Sequence, residues 1–344
     1  MDDARLDRVI EAAIREPGFS GVISIRRGPD VLHESAHGHA NRTYRAPNAI
    51  DTRFGIASGT KFLTALAIGR LLDRGDLSIS TRLVECLPLE RPRYDPTITV
   101  AQLLSHTSGV PDYFDEELAP DPESFGVGVP WSELRNLRDY VAVLPDTGMK
   151  FPPGAAFSYS NSGYILLGLV VEEISGHPYR DFVASEVLRP AGMDSSGFHA
   201  FDRLPENTAT GYIDEEDGTW RTNEFQLPII GAADGGAFST VGDVARMWHA
   251  FSRGSIVSRE LVEDFTHPHA RAEKEGEHVH YGRGLWVTTT PGQAPILAIE
   301  GYDAGVSFRS SFRPEDGSLV TVVSNTTRGA WPVLRALREA GVPA

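Results

Sequence analysis

Apolar and polar positions along the chain follow two periods, one typical of helices and one typical of strands. Apolar residues between positions 6 and 14 recur at helical spacing and predict a first helix that ends at Pro17-Gly18. Two strands are predicted over residues 21–26 and 31–35, joined by a turn at residues 28–30. A second, strongly apolar helix begins near Ser58, and Gly75 provides the cap that ends it.

The middle and the end of the chain differ in pattern. Residues from about 80 to 280 favour helices joined by long loops, and the acidic loop 111–130 carries aromatic side chains that either cover a pocket or pack in the ordinary way. Short β-branched or aromatic segments then predict strands, followed by a closing helix over residues 331–340; the strands span residues 281–288, 295–300, 306–312 and 319–324.

This order of elements predicts an α+β fold, in which an antiparallel sheet flanked by helices is built from both ends of the chain. Residues 1–77 and 281–344 are expected to form the α/β sheet domain. Residues 78–280 are expected to form an inserted, mostly helical domain, with the active site between the two.

Composition and charge narrow the classes of function. The chain has 344 residues, of which 41% are hydrophobic and 23% charged, as in ordinary globular proteins. A formal net charge of −15 argues against nucleic acid or an anionic membrane as a partner. No stretch approaches the roughly 18 apolar residues of a membrane span, and the acidic first residues do not resemble a signal peptide, so a cytoplasmic location is expected. The single cysteine, Cys86, allows no disulfide within these residues, and the oligomeric state is left open.

The strongest chemical signal is the segment Ser58-Gly-Thr-Lys61 at the start of the second helix. Residues three apart on a helix share a face, so the hydroxyl and the amine are neighbours. Only three of the 32 basic residues are lysines, so arginine is the ordinary cation of this chain. The apolar residues after Lys61 desolvate its amine and lower its pKa, and a neutral amine can take the proton of a serine. The alternative is a helix-capping serine beside a lysine that extends to solvent.

Two further clusters carry candidate chemistry. Tyr159-Ser-Asn161 places a phenol and an amide side by side, and an ammonium such as Lys61 would favour the phenolate, so that Tyr159 could lose or relay a proton. Asn161 would orient a substrate carbonyl or hold Lys61. Gly301 would let the backbone approach closely, and the N–H of the next residue, Tyr302, would complete an oxyanion hole. The competing interpretations are a buried tyrosine beside a helix-capping asparagine, and a plain turn at a strand end.

In this order, the three clusters resemble the serine β-lactamase-like and penicillin-binding protein superfamily. The likeness is strongest to the branch that holds class C β-lactamases, D-alanyl-D-alanine carboxypeptidases, D-amino-acid peptidases and β-lactamase-like esterases. Further similar segments extend the resemblance over nearly the whole chain. They are Leu-Leu-Ser-His-Thr-Ser-Gly-Val-Pro at 103–111, Tyr-Ser-Asn-Ser-Gly-Tyr-Ile-Leu-Leu-Gly at 159–168, Arg-Pro-Ala-Gly-Met at 189–193, Gly-Gly-Ala-Phe-Ser-Thr at 235–240 and Tyr-Gly-Arg-Gly-Leu-Trp at 281–286.

The resemblance implies the fold of that superfamily and a role for each candidate residue. Ser58 would be the acylated nucleophile, and Lys61 and Tyr159 would share the general-base and general-acid work, with the first proton acceptor left open. Asn161 would bind the substrate carbonyl or the lysine, and the N–H groups of Ser58 and Tyr302 would form the oxyanion hole. No metal and no organic cofactor are implied, and three His-x-His pairs in the chain lack a nearby carboxylate or cysteine to complete a zinc site.

One position departs from that family, whose third motif begins with lysine or histidine where this chain has Ile299-Glu300-Gly301. Isoleucine cannot bind a carboxylate, which disfavours β-lactams and D-Ala-D-Ala. Glu300 and Asp303 are expected to repel anions or attract an amine. The leading prediction is therefore a β-lactamase-like esterase that forms an acyl-enzyme with a small-molecule ester or amide. The alternatives are a β-lactamase or D-amino-acid peptidase or carboxypeptidase, and a catalytically silent binding or scaffold protein.

Overall fold

The computed structural model describes residues 3–15, 18–90, 94–116, 118, 121–272 and 278–344. Its strands are short except at the two ends of the chain. They are β1 Gly21–Arg27, β2 Asp30–His37, β3 His39–Asn41, β4 Ala46–Pro47, β5 Phe54–Gly55, β6 Tyr212–Asp214, β7 Trp220–Thr222, β8 Phe238–Ser239, β9 Ala270–Arg271, β10 Val279–Tyr281, β11 Trp286–Thr288, β12 Ile296–Asp303, β13 Val306–Arg313 and β14 Ser318–Ser324.

The helices range from one turn to four. They are α1 Asp3–Arg15, α2 Thr60–Arg74, α3 Leu83–Cys86, α4 Val100–Leu104, α5 Asn161–Ser175, α6 Tyr179–Val183, α7 Arg189–Ala191, α8 Val241–Ser252, α9 Arg259–Thr266 and α10 Ala330–Glu339. Short 3-10 turns occupy Ala57–Gly59, Trp131–Glu133, Leu137–Ala142 and Phe201–Arg203, and a π turn occupies Ala184–Leu188. No helix in the described ranges combines the length and the apolar content that a bilayer crossing requires.

Eight of the strands form one antiparallel sheet in the order β2-β1-β14-β13-β12-β11-β10-β9. The first and last parts of the chain meet where β1 pairs with β14, the second and third strands from one edge, with Gly21 opposite Ser324 and Arg27 opposite Ser318. The predicted α+β class, with an antiparallel sheet built from both chain ends, is confirmed.

Helices cover both faces of this sheet because its central strands carry buried side chains on both sides. On one face, α1 and α10 pack against β1 and β14 through a cluster that includes Ile10, Val322 and Val333. On the other face, α2, α5 and α8 enclose the main core, in which the rings of Phe62 and Trp248 stack at 5.4 Å. Burying each such side chain contributes about 2 kcal/mol, which fixes α2 firmly against the sheet.

The predicted single strand over residues 281–288 is wrong, because the chain turns back within it. β10 ends at Tyr281 and β11 begins at Trp286, and the two strands pair antiparallel. Gly284, in the turn between them, has a φ of +83°, a backbone conformation that is unfavourable for residues with a side chain. The division into two domains stays a prediction, and the sheet already includes β9 and most of β10, which lie before its boundary at residue 281.

Candidate active site

Ser58 lies in the 3-10 turn that leads into α2, at the centre of a cleft between the sheet and the helices. The turn is held from both sides. The Thr60 hydroxyl donates to the carbonyl of Ala57 at 2.7 Å and accepts from the N–H of Ala237 at 3.0 Å. Ala57 has a φ of +43°, which is costly for a residue with a side chain and is often found at functional sites. The half-buried Ser58 side chain is thus presented to the cleft by a fixed backbone.

Lys61 is the most deeply buried charged residue of the cleft, with 1% of its surface exposed. Its Nζ lies 2.9 Å from Ser58 Oγ, 2.7 Å from Asn161 Oδ1 and 2.7 Å from the main-chain oxygen of Asp234. Burial lowers the pKa of Lys61, although the carboxylates of Asp234 and Glu116 act in the opposite direction. The predicted contact between the serine and the lysine is confirmed, and the alternative of a lysine extending to solvent is wrong.

The amide of Asn161 can take only one orientation. Its Nδ2 donates to the carboxylate of Asp112 at 3.1 Å and to the carbonyl of Phe114 at 2.9 Å. Both donors are therefore used, and Oδ1 must face Lys61 as an acceptor. Asn161 Oδ1 thus accepts from Lys61 at 2.7 Å, and a role of Asn161 in binding the substrate stays a prediction.

Tyr159 completes the cluster around the serine. Its side chain lines the cleft beside Ser58, and its ring centroid lies 4.8 Å from Lys61 Nζ. The ring is packed between Trp286, parallel to it at 6.1 Å, and His106 at 4.3 Å. Burial raises the pKa of Tyr159 well above its ordinary value, and Glu116 raises it further. The expectation that Lys61 favours a phenolate is wrong, because desolvation of the charged form dominates.

The third predicted cluster lies on β12, which packs against the Ser58 turn. A Cβ on Gly301 would lie 2.1 Å from the carbonyl oxygen of Ile56, so the close approach requires glycine, as the sequence predicts. The next residue, Tyr302, lines the cleft together with Ser58. Ile299, at 2% exposure, faces the core.

Two charged residues flank this part of β12. Glu300 forms an ion pair with Arg309 of β13, which offsets its charge. Asp303 lines the cleft, and burial raises its pKa to about 7 while Asp234 and Glu116 add to the effect. Both residues therefore bear on the charge of the cleft, Glu300 as half of an ion pair and Asp303 as a group whose pKa is raised.

The cleft has two compartments that meet at Ser58, Glu116 and Tyr302. One is walled by aromatic rings, contributed by Phe114, Phe125, Trp131, Tyr140, Phe201 and Phe238. The aromatic loop predicted to line or cover a pocket thus lines this compartment. The other compartment is polar and includes Arg309, Arg328 and Arg338 beside Trp286.

Sequence reasoning missed Asp112, Asp234 and the role of His106. His106 lies under Tyr159 and accepts from the N–H of Ser160 at 3.0 Å through Nδ1. His106 lies in the segment 103–111, which resembles the family, and that resemblance is the only signal in the sequence that points to it. Asp234 accepts from Lys61 through its main-chain oxygen, a contact for which a sequence gives no signal. Across the described residues, no group of three or more histidine, cysteine or acidic side chains is arranged to hold a metal ion.

The fold and this cluster define a serine hydrolase of the β-lactamase type. A family model described as Beta-lactamase matches residues 6–341, so the chain belongs to the β-lactamase family. Among curated proteins, it is 28% identical to penicillin-binding protein 4* of Bacillus subtilis, over 88% of this chain and 67% of that protein. It is 34% identical to esterase EstB of Burkholderia gladioli, over 66% of this chain and 59% of that protein.

Solved structures agree with this assignment. The penicillin-binding protein of Bacillus halodurans is 41% identical, with a TM-score of 0.90 over 97% of this chain and 99% of that one. An octameric penicillin-binding protein homologue from Pyrococcus abyssi is 27% identical, with a TM-score of 0.85 over 99% of this chain and 78% of that one.

Proposed function

We propose that this protein is an esterase or amidase that forms an acyl-enzyme on Ser58 with a small uncharged ester or amide. The observation that carries the proposal is the set of hydrogen bonds around Lys61. A neutral amine has two N–H groups and one lone pair. The oxygens of Asn161 Oδ1 and the Asp234 main chain can only accept, so they take the two N–H groups. The lone pair is left for Ser58 Oγ at 2.9 Å.

This arrangement supports one order for the proton transfers that the sequence left open. Lys61 takes the proton of Ser58 as Oγ attacks the substrate carbonyl carbon and forms a bond to it. The resulting ammonium is stabilised by the same three oxygens. Tyr159, a neutral phenol, donates its proton to the leaving alkoxide or amine and recovers it from Lys61. Water then attacks the acyl carbon and the steps run in reverse, which restores Ser58.

The negative charge that develops on the substrate oxygen needs donors in place before the reaction. We assign the N–H groups of Ser58 and Tyr302 to this oxyanion hole, supported by the contact of Gly301 with the turn before Ser58. The aromatic compartment favours a substrate with an apolar or aromatic group on one side of the scissile bond. Ile299, buried where the family has lysine or histidine, removes the usual partner for a carboxylate, which supports an uncharged substrate.

The alternative enzymatic function is that of a β-lactamase or D-amino-acid peptidase or carboxypeptidase. Arg328, exposed in the polar compartment, favours it, because a guanidinium there offers donors to a substrate carboxylate. The silent scaffold is disfavoured, because burying the amine of Lys61 among three oxygens costs desolvation free energy that a binding protein has no need to spend.

The test is labelling of the purified protein with a fluorophosphonate, followed by intact mass and peptide mapping. An adduct on Ser58 is expected, and it should be absent from folded Ser58→Ala and Lys61→Ala variants. Wild-type labelling in either variant would refute the roles assigned here. Turnover of neutral, anionic and cationic nitrophenyl esters, D-amino-acid amides and nitrocefin then ranks the substrates, and faster reaction of nitrocefin than of any ester would establish the alternative.

A further inference from the structure

The two oxygens that orient Lys61 are themselves held by consecutive residues of the loop that follows α4. Asp112 holds the first. Its Oδ2 accepts from the N–H of Asn161 at 2.8 Å and from Asn161 Nδ2 at 3.1 Å, and its Oδ1 accepts from the N–H of Ser162 at 2.8 Å. One carboxylate therefore fixes both the backbone and the side chain of Asn161.

Tyr113 holds the side chain of Asp234, the residue that carries the second oxygen. Its hydroxyl donates to Asp234 Oδ2 at 2.5 Å, and the main-chain oxygen of Asp234 accepts from Lys61 at 2.7 Å. The N–H of Tyr113 donates to Ser162 Oγ at 2.9 Å, which ties the same loop to the first turn of α5. The loop, the helix start and the glycine-rich segment thus meet around one amine.

An ordinary helix cap does not account for this arrangement. α5 already has its N-cap, Ser160, whose Oγ accepts from the N–H of Gly163 at 3.0 Å. Asp112 is an additional, remote acceptor for the two preceding N–H groups. It also reaches the Asn161 side chain, which a cap does not need. Burying the carboxylate of Asp112 costs desolvation free energy, and burial raises the pKa of Asp112 to about 6.

We propose that Asp112 and Tyr113 are positioning residues, which aim the lone pair of Lys61 at Ser58 by fixing the two oxygens that take its N–H groups. The proposal rests on the proposed function, because it assigns these residues to the same acylation step. Neither residue touches the reacting atoms, and each acts through one intermediate residue, Asn161 or Asp234.

Other groups around Lys61 enter the interpretation of any variant. The carboxylates that act on it are Asp112 and Glu116 of the loop after α4, Asp234 of the glycine-rich segment and Asp303 of β12. His106 and Tyr159 face the same place, and burial holds both neutral by lowering the pKa of the histidine and raising that of the tyrosine. Loss of the Asp112 charge is expected to lower the pKa of Lys61 further.

The experiment measures the second-order rate of Ser58 acylation by a fluorophosphonate from pH 5 to 10, per titrated active site. In Asp112→Asn, one oxygen that accepts N–H groups becomes a donor, so the rate is expected to fall by about 100-fold, the usual effect of a 1 Å misplacement. The acid limb of the pH profile should move to lower pH. Tyr113→Phe keeps the ring and loses one hydrogen bond, and a fall of about tenfold is expected.

Matched controls come from the same part of the chain. Asp115→Asn removes a loop carboxylate that pairs with Lys150 at 2.6 Å, and Tyr94→Phe removes a hydroxyl that donates to Pro145 at 3.2 Å. Both are expected to keep the wild-type rate and pH profile.

The outcomes separate the possible explanations. If Asp112→Asn and Tyr113→Phe are acylated at the wild-type rate, the positioning role is overturned, while the proposed function still stands. A variant with fewer active sites, each reacting at the wild-type rate with an unchanged acid limb, would instead show a purely structural role. That result would also overturn the positioning role. No labelling of Ser58 in the wild-type protein would overturn the proposed function and, with it, this inference.

Discussion

The close contact between β12 and the Ser58 turn makes Gly301→Ala the sharpest single test of the site. The added Cβ would lie 2.1 Å from the carbonyl oxygen of Ile56 and 2.9 Å from the Cβ of Ala57, and such atoms hardly ever approach within 3.0 Å. Both neighbours belong to the backbone or to a methyl group, so no flexible side chain can move aside. The strand and the turn must therefore separate by about 1 Å.

That displacement falls on the two backbone segments that are proposed to hold the substrate oxygen. A shift of about 1 Å costs about 100-fold in rate, which is about 3 kcal/mol in the barrier to acylation. The same strain is expected to lower the free energy of unfolding by about 1–3 kcal/mol, which a protein of ordinary stability survives. The variant should therefore be folded at 25 °C but slow.

The assay is single-turnover acylation by a fluorophosphonate, followed by intact mass, with urea unfolding measured in parallel. Gly242→Ala, in the first turn of α8, is the matched control, because its added Cβ meets its neighbours at an ordinary 3.7 Å. The control should keep the wild-type rate. If folded Gly301→Ala acylates as fast as wild type, then the contact between β12 and the turn does not set the geometry of the oxyanion hole, and that assignment fails.

Three further predictions concern single side chains. Because burial lowers the pKa of Lys61, acylation should rise with pH as the amine loses its proton and then level off; a rate that falls across pH 6–9 would contradict the base assigned here. Tyr159→Phe should slow hydrolysis of an amide at least tenfold more than that of a nitrophenyl ester, whose leaving group needs no proton; equal losses in the two kcat/KM values would exclude the acid role. Burial raises the pKa of Asp303 from 3.8 to about 7, so the folded state binds this proton more tightly than the unfolded chain does and the protein loses stability as pH rises between those values. At pH 8, the free energy of unfolding of Asp303→Asn, measured in urea, should therefore exceed that of wild type by roughly 2 kcal/mol, which is half of the full shift to allow for relaxation. At pH 4, the two free energies should match. The same difference at both pH values would show that ionisation is not the cause.

Local rules in the sequence account for part of this structure. The neighbouring positions of Ser58 and Lys61 follow from helical spacing, and the closing strands follow from β-branched segments broken by turns. The meeting of Tyr159 with Ser58, about 100 residues away in the chain, does not follow from any local rule. It was predicted only through the resemblance to a family.

Other features depend on burial, which a single sequence does not report. The protonation of Tyr159 was predicted in the wrong direction, because the effect of a nearby ammonium was weighed without the larger effect of desolvation. The turn at Gly284 was missed for a related reason, since its need for a positive φ depends on the path of the backbone. Asp112 was missed because its partners, Asn161 and Ser162, lie about 50 residues away.

The charges around Lys61 show how the fold keeps an amine reactive in an acidic protein. A direct ion pair with a carboxylate would raise the pKa of the lysine and hold it as an ammonium, which cannot act as a base. The oxygens in direct contact with Lys61 instead belong to a hydroxyl, an amide and a main-chain carbonyl, all of them neutral. The carboxylates of Asp112 and Asp234 are each bound to another donor, Asn161 in one case and Tyr113 in the other. They lie near enough to stabilise the ammonium that forms during acylation, yet they make no direct bond that would prevent its loss of a proton at rest.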